Sequence, residues 1–419
     1  MIVTVTLNPS LDRAIEIDGL ARGDVIRARS GHLDPGGKGV NVSRALLANG
    51  VASRAVLPCG GDEGGQLVRL LAAEGVDLVA VPIGGRTRSN ITLAEPDGTV
   101  TKVNEPGPTL SAVEFDAVTG QALAAAGSAG WVVVCGSLPP GVTTEAFGRL
   151  CRRIVAAGVK LAVDTSGPAL RAAAEAGAHL VKPNREELSE VVGGGLTART
   201  DVVEAANRVR TWGAGAVLAS LGADGAILVT ADTVVSGTAP VTHPRSSVGA
   251  GDALLAGFLA ALTRSGLART ANLSGTTNQA PTKPGAIRGQ TATTGQTGTA
   301  GRNGEAGMTG PGPTGTAETN GEASVARSSP AGGAGDSGDA GTAGTSGPAG
   351  TAGDSGGDGR SESWRAELVA ALAEGLAWGA AAVSLPGSRM PGPSDLRRDA
   401  VVIHPDSDSD LVRSLAQPG

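Results

Sequence analysis

The stretch Ser247-Val248-Gly249-Ala250-Gly251-Asp252 runs directly into the apolar segment 253–259. Its two glycines and one alanine leave little side chain at the point where a helix is expected to begin. The first N–H groups of a helix have no partner within it and the helix dipole is positive there, so such a turn binds anions, above all phosphate. Asp252 repels an anion unless it has a role, and the obvious role is to accept a proton from a hydroxyl group that attacks the phosphate. The six residues alone equally fit a Gly-rich loop in which Asp252 caps the helix.

Short apolar, β-branched runs alternate with amphipathic Ala/Leu-rich stretches along most of the chain. This order is typical of βαβ units and predicts a mostly parallel sheet with helices on both faces. Predicted strands cover residues 2–7, 54–58, 131–135, 159–163, 179–182, 216–220 and 226–230, and predicted helices cover 40–49, 64–74, 112–126, 144–157, 186–192, 201–212 and 252–264. In such sheets ligands bind beyond the carboxyl ends of the strands, where several polar motifs of this chain are expected to meet.

Two polar, turn-rich segments with alternating apolar residues, about 13–30 and 86–104, do not fit this alternation. We expect them to form a small antiparallel sheet that stands off the main domain. Such a sheet would serve as a lid over a site or as a contact between two copies of the chain, so a homodimer through the lid is expected.

A low-complexity segment of Gly, Thr, Ala and Ser, 268–362, interrupts the core. It has too little aliphatic content to offset its ordering entropy, and we predict a disordered insert. Glycine recurs at every third residue over 295–310 and 335–356, the collagen period, but the blocks are short and poor in proline, which favours a flexible linker. Helical periodicity then resumes, so 363–404 is expected to complete the core and 405–419 to form a tail.

Composition excludes several classes of function. The net charge of −6 and the aromatic content of 2% argue against a surface that binds nucleic acid. Three scattered cysteines do not make a disulfide framework or a zinc site. The first predicted strand follows Met1 without a leader-like segment, and we expect no apolar run of membrane-spanning length, hence a cytoplasmic protein without a membrane partner.

Two further motifs are suited to phosphate or hydroxyl groups. Gly36–Asn41 is a second glycine loop that opens a predicted helix, and its Lys38 and Asn41 side chains supply donors. It is not a Walker A sequence. In the predicted lid, Arg86-Thr87-Arg88-Ser89-Asn90 offers arginine groups that suit a phosphate monoester, although an arginine on an exposed turn explains the same residues.

The segment Lys182–Glu187 places Asn184 at a helix N-cap with Glu187 three residues later, a capping box. Both side chains also suit Mg²⁺ held through its water molecules. The turn Ser220–Ala226 fits either a nucleotide phosphate or a plain hairpin. Of the aspartates considered as general bases, Asp12, Asp164 and Asp252, only Asp252 lies beside an anion-binding turn, and Asp12 is better suited to sugar hydroxyls.

Taken together, these residues resemble the PfkB branch of the ribokinase-like sugar kinases, and within it the 1-phosphofructokinase subgroup, with tagatose-6-phosphate kinases close. The resemblance covers about 1–266 and 362–403. Its motifs, in order, are Thr6–Pro9 with Asp12, Gly36–Gly39 with Asn41, Thr87-Arg88 with Asn90, Gly136–Pro139, Lys182–Asn184 with Glu187, Ser220–Gly222 and Val248–Asp252.

The resemblance implies a three-layer α/β/α domain with a mostly parallel central sheet, a small β-sheet lid, and ATP with Mg²⁺ as phosphoryl donor. It makes Asp252 the general base and the backbone N–H groups of Gly249, Ala250 and Gly251 the anion hole. Residues implied at the sugar are Asp12, Gly37, Lys38, Asn41 and Ser137, with Arg88 and Asn90 toward its phosphate. Residues implied at the nucleotide are Lys182, Asn184, Ser220, Gly222 and Gly225, with Asn184 and Glu187 ordering Mg²⁺ through water.

The pair Arg88 and Asn90 favours a sugar that already carries a phosphate group. The expected reaction is phosphorylation of D-fructose 1-phosphate to D-fructose 1,6-bisphosphate. A tagatose-6-phosphate kinase or a 6-phosphofructokinase of the same family stays open as an alternative. A remote alternative is a non-catalytic protein that assembles through the Gly-x-y blocks of the insert.

Overall fold

A ten-stranded sheet organises the chain in this computed structural model, which describes residues 1–265 and 358–405. From edge to edge its strands are β14 (Val402–Pro405), β13 (Val234–Thr238), β12 (Ala226–Val229), β11 (Ala216–Ser220), β10 (Leu180–Val181), β9 (Lys160–Asp164), β8 (Trp131–Cys135), β1 (Ile2–Thr6), β4 (Ser53–Cys59) and β5 (Leu78–Pro82). The seven strands from β11 to β5 in this order are mutually parallel. The pairs β11–β12, β12–β13 and β13–β14 are antiparallel. Strands β1 and β8 are buried throughout, which is why they are continuous apolar or β-branched runs.

Helices cover both faces of this sheet. The described helices are α1 (Lys38–Ala48), α2 (Gly61–Glu74), α3 (Ala112–Ala126), α4 (Thr144–Ala156), α5 (Gly167–Glu175), α6 (Arg185–Val192), α7 (Arg199–Thr211), α8 (Ala250–Arg264) and α9 (Asp358–Val383). Apolar residues of α3 to α7 form one core with the sheet, and those of α1, α2, α8 and α9 pack on its other face. The predicted three-layer α/β/α fold with a mostly parallel sheet is confirmed.

A separate four-stranded sheet, which we call the lid sheet, has the order β3 (Ser30–Gly36), β2 (Ser10–Glu16), β6 (Arg88–Ala94), β7 (Val100–Asn104). The expectation of an antiparallel sheet is wrong for its central pair, because β2 and β6 run parallel. Strand β2 follows β1 and β6 follows β5, and both leave the same edge of the main sheet, so they run in the same direction. Their register sets Asp12 opposite Asn90.

The predicted insert 268–362 lies outside the described residues, except for 358–362 at the start of α9. The predicted tail 405–419 also lies outside them, apart from the residue that ends β14. The expectation that no apolar run reaches membrane-spanning length needs correction. Among the described residues, the helical span Ser363–Val383 has that length and apolarity, and 61% of its most apolar window is buried within the fold.

Helices α8 and α9 approach each other closely because glycines line their contact. A Cβ atom on Gly257 would lie 2.7 Å from Cγ of the fully buried Trp378, and one on Gly375 would lie 2.7 Å from the carbonyl oxygen of Leu254. Glu374 of α9 accepts a hydrogen bond from Trp378 Nε1 (2.9 Å) and pairs with Arg398 Nε (2.7 Å). Helix α9 therefore fixes the direction of α8.

Substitution of Gly257 by alanine tests this close contact. We expect Gly257→Ala to lower the free energy of unfolding by about 1–3 kcal/mol, because an added methyl group overpacks the contact with Trp378. Gly120 on the exposed side of α3 is the matched control, since a Cβ there meets nothing within 4 Å. Gly120→Ala should raise the free energy of unfolding by about 0.5–1 kcal/mol. Urea denaturation measures both, and equal effects of the same sign would contradict the packing argument.

Candidate active site

The first turn of α8 joins a glycine in a left-handed conformation to a buried carboxylate. Gly249 has φ +76° at the N-cap, and a Cβ atom there would also lie 2.7 Å from Cε of Met390. The left-handed backbone therefore favours glycine at this position, and a side chain there would also have to displace the end of Met390. Asp252, in the same first turn, is only 7% exposed.

Burial and neighbouring charge determine the proton affinity of Asp252. Burial, followed by the negative charge of Asp164, raises the pKa of the Asp252 carboxyl from its ordinary 3.8 to about 6. The hydrogen bond from Asn41 Nδ2 to Oδ2 (2.9 Å) and the charges of Lys38 and Lys182 oppose this rise in pKa. A carboxylate whose pKa lies close to neutral is suited to accept a proton during a reaction.

A chain of ion pairs lies beside Asp252. Lys38 Nζ is 2.7 Å from Asp164 Oδ1 and 3.1 Å from Glu187 Oε1, and Lys182 Nζ is 3.0 Å from Asp164 Oδ2. Burial disfavours the charge on Lys38, but Asp164 and Glu187 outweigh it and hold its pKa above the ordinary value. Burial likewise disfavours the charge on Asp164, and Lys182 and Lys38 outweigh it, so the pKa of Asp164 is lowered.

The predicted capping box at the start of α6 is present. Glu187 N donates to Asn184 Oδ1 (2.7 Å), and Asn184 N donates to Glu187 Oε2 (2.9 Å). Among the described residues no three His, Cys, Asp or Glu side chains form a metal-binding group. The oxygens of Asn184 and Glu187 retain free lone pairs, which fit hydrogen bonds from the water shell of Mg²⁺ rather than direct ligation.

Asp12 is anchored in the lid sheet by its neighbours on β2 and β6. Its Oδ1 accepts hydrogen bonds from Ser10 Oγ (2.7 Å) and from Asn90 Nδ2 (2.9 Å). Gly36 of β3 passes over the carboxylate so closely that a Cβ atom there would collide with it. The lid sheet thus holds Asp12 and Asn90 as a pair, as the register of β2 and β6 requires.

Asn8, which follows β1, links the lid to the main sheet. Its carbonyl oxygen accepts from Arg88 Nε (3.2 Å), and its Nδ2 donates to Ser137 Oγ (3.2 Å) and to the Pro106 carbonyl (3.0 Å). Arg88 also donates to the Glu105 carbonyl (2.9 Å). These contacts of Asn8 and of the segment at Glu105 were not predicted from the sequence. The only local signal for Asn8 is its place directly after a predicted strand, in the motif Thr6–Pro9.

The predicted nucleotide turn follows β11. Gly222 has φ +62°, and Gly225 has φ +87° and lies so close to the Gly237 carbonyl that a side chain would collide with it. The Ser220 N–H donates to the Pro183 carbonyl (3.0 Å), so this turn adjoins the Lys182–Asn184 segment.

Direct contacts join the predicted residues in several sets. Asn41 contacts Asp252, and beside this pair Lys38, Lys182, Glu187 and Asn184 are connected through the ion pairs of Asp164 and the capping box. At the lid, Asp12 contacts Asn90, and Asn8 connects Arg88 with Ser137. Gly37, with φ +115°, begins α1 next to Lys38, and a Cβ there would lie 2.8 Å from Thr6 Cγ2. Met390 packs against Gly249 and was not predicted at the site, because it belongs to no sequence motif.

Comparison with known proteins places this fold, a three-layer α/β/α domain with a separate lid sheet, in the class of carbohydrate kinases. Residues 5–277 match the family described as pfkB family carbohydrate kinase, and the chain belongs to that family. The resemblance to the PfkB branch is thereby confirmed.

Particular relatives are phosphofructokinases. A 1-phosphofructokinase of Rhodobacter capsulatus is 39% identical over 279 residues, which are 65% of this chain and 87% of that protein. The ATP-dependent 6-phosphofructokinase isozyme 2 of Escherichia coli is 37% identical over 257 residues, which are 61% and 83% of the two chains. The crystal structure of Escherichia coli phosphofructokinase-2 in complex with fructose-6-phosphate matches with a TM-score of 0.60 at 35% identity, covering 63% of this chain and 87% of that one.

The raised pKa of Asp252 predicts a pH-dependent effect on stability. Because the folded pKa of about 6 exceeds the ordinary 3.8, the carboxyl contributes favourably to folding below about pH 4, and that contribution is lost as the pH rises through 6. We therefore expect Asp252→Asn to unfold with a free energy about 2 kcal/mol higher than the parent near pH 8, and with little difference near pH 4.

Urea denaturation across this pH range measures the difference. Asp77→Asn is the matched control, since Asp77 is exposed and pairs with Arg54 (2.9 Å) away from the site. A stabilisation by Asp252→Asn that did not change with pH would contradict the assignment.

Proposed function

We propose that the protein transfers the γ-phosphoryl group of ATP to a hydroxyl group of a phosphorylated ketohexose, converting D-fructose 1-phosphate to D-fructose 1,6-bisphosphate. The observation that carries the proposal is the buried Asp252 in the first turn of α8, next to the Gly249–Gly251 backbone. The relatives of this protein include 1-phosphofructokinases from several bacteria, which supports the choice of substrate.

Asp252 acts as the general base. As the acceptor oxygen forms its bond to the γ-phosphorus, the bond from that phosphorus to the bridging oxygen of ADP breaks, and the hydroxyl proton passes to Asp252. Asn41 holds Oδ2 of Asp252 at 2.9 Å, which leaves Oδ1 to take the proton.

The anion hole is the backbone of Gly249, Ala250 and Gly251. N–H groups at the positive end of α8 stabilise the charge that spreads over the phosphoryl oxygens. Lys182 adds a positive charge there, since its Nζ lies 3.3 Å from the position of a Cβ on Gly251. Mg²⁺, when bound, neutralises charge on the phosphate groups, and Asn184 and Glu187 would hold its water shell.

The remaining predicted residues orient the two substrates. Asp12, Gly37, Lys38 and Ser137 face the sugar, with Arg88 and Asn90 toward its existing phosphate; Ser220, Gly222 and Gly225 line the nucleotide with Lys182 and Asn184. The fixed position of Arg88 supports this role. Two of its nitrogens bond to backbone carbonyl groups at 3.2 and 2.9 Å, and such a guanidinium meets a phosphate group with little further loss of freedom.

We also propose a homodimer through the lid sheet. The lid exposes several large apolar side chains: Leu20, Val25, Val100 and Val103. Contact with a second copy of the chain would remove these exposed apolar side chains from water. A structure of Escherichia coli phosphofructokinase-2 is described as a tetrameric inhibited form, so assembly occurs in a relative. Free cysteines and a phosphorylated metabolite as substrate favour the cytoplasm as the location.

Removal of the base is the first test. We expect Asp252→Asn to lower kcat on fructose 1-phosphate by about 10²–10⁴-fold while KM changes little, because the variant keeps the shape of the site but accepts no proton. ADP release is followed with fructose 1-phosphate, fructose 6-phosphate, tagatose 6-phosphate and free sugars, with Asp77→Asn as the matched control. Near-normal turnover by Asp252→Asn would show that Asp252 is not the general base. Preference for another phosphosugar would show that fructose 1-phosphate is not the substrate.

Two arginines only two residues apart test recognition of the sugar phosphate. Arg88→Ala should raise KM for the phosphorylated sugar by about tenfold to a hundredfold, as expected for one lost charge-assisted contact. Arg86 is the matched control, because its exposed side chain pairs with Glu63. Arg86→Ala should leave KM unchanged. Steady-state kinetics with varied sugar decide, and equal effects of the two variants would contradict the role of Arg88.

A further inference from the structure

One buried carboxylate at the site has no part in the proposed chemistry. Asp164, the last residue of β9, is 1% exposed and lies beneath the residues that surround the proposed reaction. A buried carboxylate is costly unless opposite charges compensate it. Its two neighbours of opposite charge, Lys38 and Lys182, come from different parts of the fold.

The two oxygens of Asp164 each hold one ammonium group. Oδ1 is 2.7 Å from Nζ of Lys38, the first residue of α1, and Oδ2 is 3.0 Å from Nζ of Lys182, which follows β10. Lys182 is 4% exposed at its side chain and lies against the first turn of α8 at Gly251. Without Asp164 the two lysines would repel each other.

The backbone around Asp164 is fixed by the neighbouring strand ends. The Gly136 N–H donates to the Asp164 carbonyl (2.8 Å), and Thr165 Oγ1 donates to the Gly136 carbonyl (2.9 Å). On the other side, the Lys182 N–H donates to the Val163 carbonyl (2.9 Å). The carboxylate thus stands on a rigid base, which is what a residue that positions others requires.

We propose that Asp164 is a positioning residue: it binds Lys38 and Lys182 together, sets Lys182 against the anion-hole turn, and keeps Asp252 from being surrounded by cations alone. This inference rests on the proposed kinase function of the same site. Asp164 touches neither the proposed hydroxyl group nor the phosphoryl group, and it acts through the two lysines and through its charge.

The charged and titratable groups that face Asp252 come from four elements. Lys38 lies on α1, Lys182 after β10, Asp164 on β9 and Cys135 on β8. Burial raises the pKa of the Cys135 thiol well above its ordinary value, so that it stays neutral. The two lysines lower the pKa of Asp252, and Asp164 raises it. Loss of a lysine should therefore raise the pKa of the proposed base, and loss of Asp164 should lower it.

Opposed substitutions test the proposal. For Asp164→Asn we expect the acid limb of kcat/KM to move to lower pH by about one unit, with kcat reduced about tenfold or more. For Lys182→Met the acid limb should move to higher pH, because Asp164 is then less compensated. In the double variant Asp164→Asn/Lys182→Met the limb should return close to the parent position, while kcat stays low. Asp77→Asn, which removes an exposed ion pair, is the control and should leave the limb in place.

Thermal unfolding separates a structural role from a positioning role. A loss of stability and kcat without movement of the acid limb would overturn the proposal. If Asp164→Asn alone does not fold, comparison of Lys182→Met with the double variant still isolates the effect of the Asp164 charge. An acid limb at the same pH in these two variants would overturn the proposal.

A titration without substrate keeps this test independent of the kinase assignment. Protein with ¹³C-labelled aspartate carboxyl carbons gives a signal for Asp252, identified by its absence in Asp252→Asn. The midpoint of that signal should fall in Asp164→Asn and rise in Lys182→Met. If the midpoints move as expected but no ketohexose phosphate is phosphorylated, the proposed function fails and the proposed role of Asp164 stands. If a ketohexose phosphate is phosphorylated but the midpoints do not move, the role of Asp164 fails and the proposed function stands.

Discussion

The parallel arrangement of the strands from β11 to β5 is the constraint on which the site depends. Parallel strands end at the same edge of a sheet, so polar residues that follow different strands become neighbours there. Asn8 after β1, Asp164 at the end of β9 and Lys182 after β10 are such residues. Their side chains meet the starts of α1 and α8, and the ion pairs of Asp164 join these elements below Asp252.

A second constraint sets the direction of α8. The helix brings the Gly249 turn and Asp252 to the sheet edge, and α9 holds it there through contacts that only glycine permits, at Gly257 and Gly375. Helix α9 follows in the sequence only after the long low-complexity segment. The position of the Gly249 turn therefore relies on a helix distant along the chain.

Sequence periodicity predicted most of the elements but omitted β5, β13, β14 and α5. Strand β13 contains Ser236 and Gly237, which weaken the apolar signal, and a Cβ atom on Gly237 would lie 2.7 Å from Cδ1 of Leu376 on α9. Helix α5 is short and begins with a glycine and a proline. The direction of the β2–β6 pair was also missed, because strand direction depends on where each strand leaves the main sheet.

Local sequence patterns were enough to predict the kind of site. Glycine turns, a capping box and strand-end polar residues are local patterns with local physical causes, so Asp252, Asn41 and Asn184 could be selected from their neighbours in the chain. How these residues act on one another follows from the folded arrangement of the chain. The ion pairs of Asp164 with two lysines, the link through Asn8 and the contact of Met390 with Gly249 depend on distances between segments far apart in sequence. Burial and the charges of those segments set the pKa of Asp252, and no local pattern encodes either.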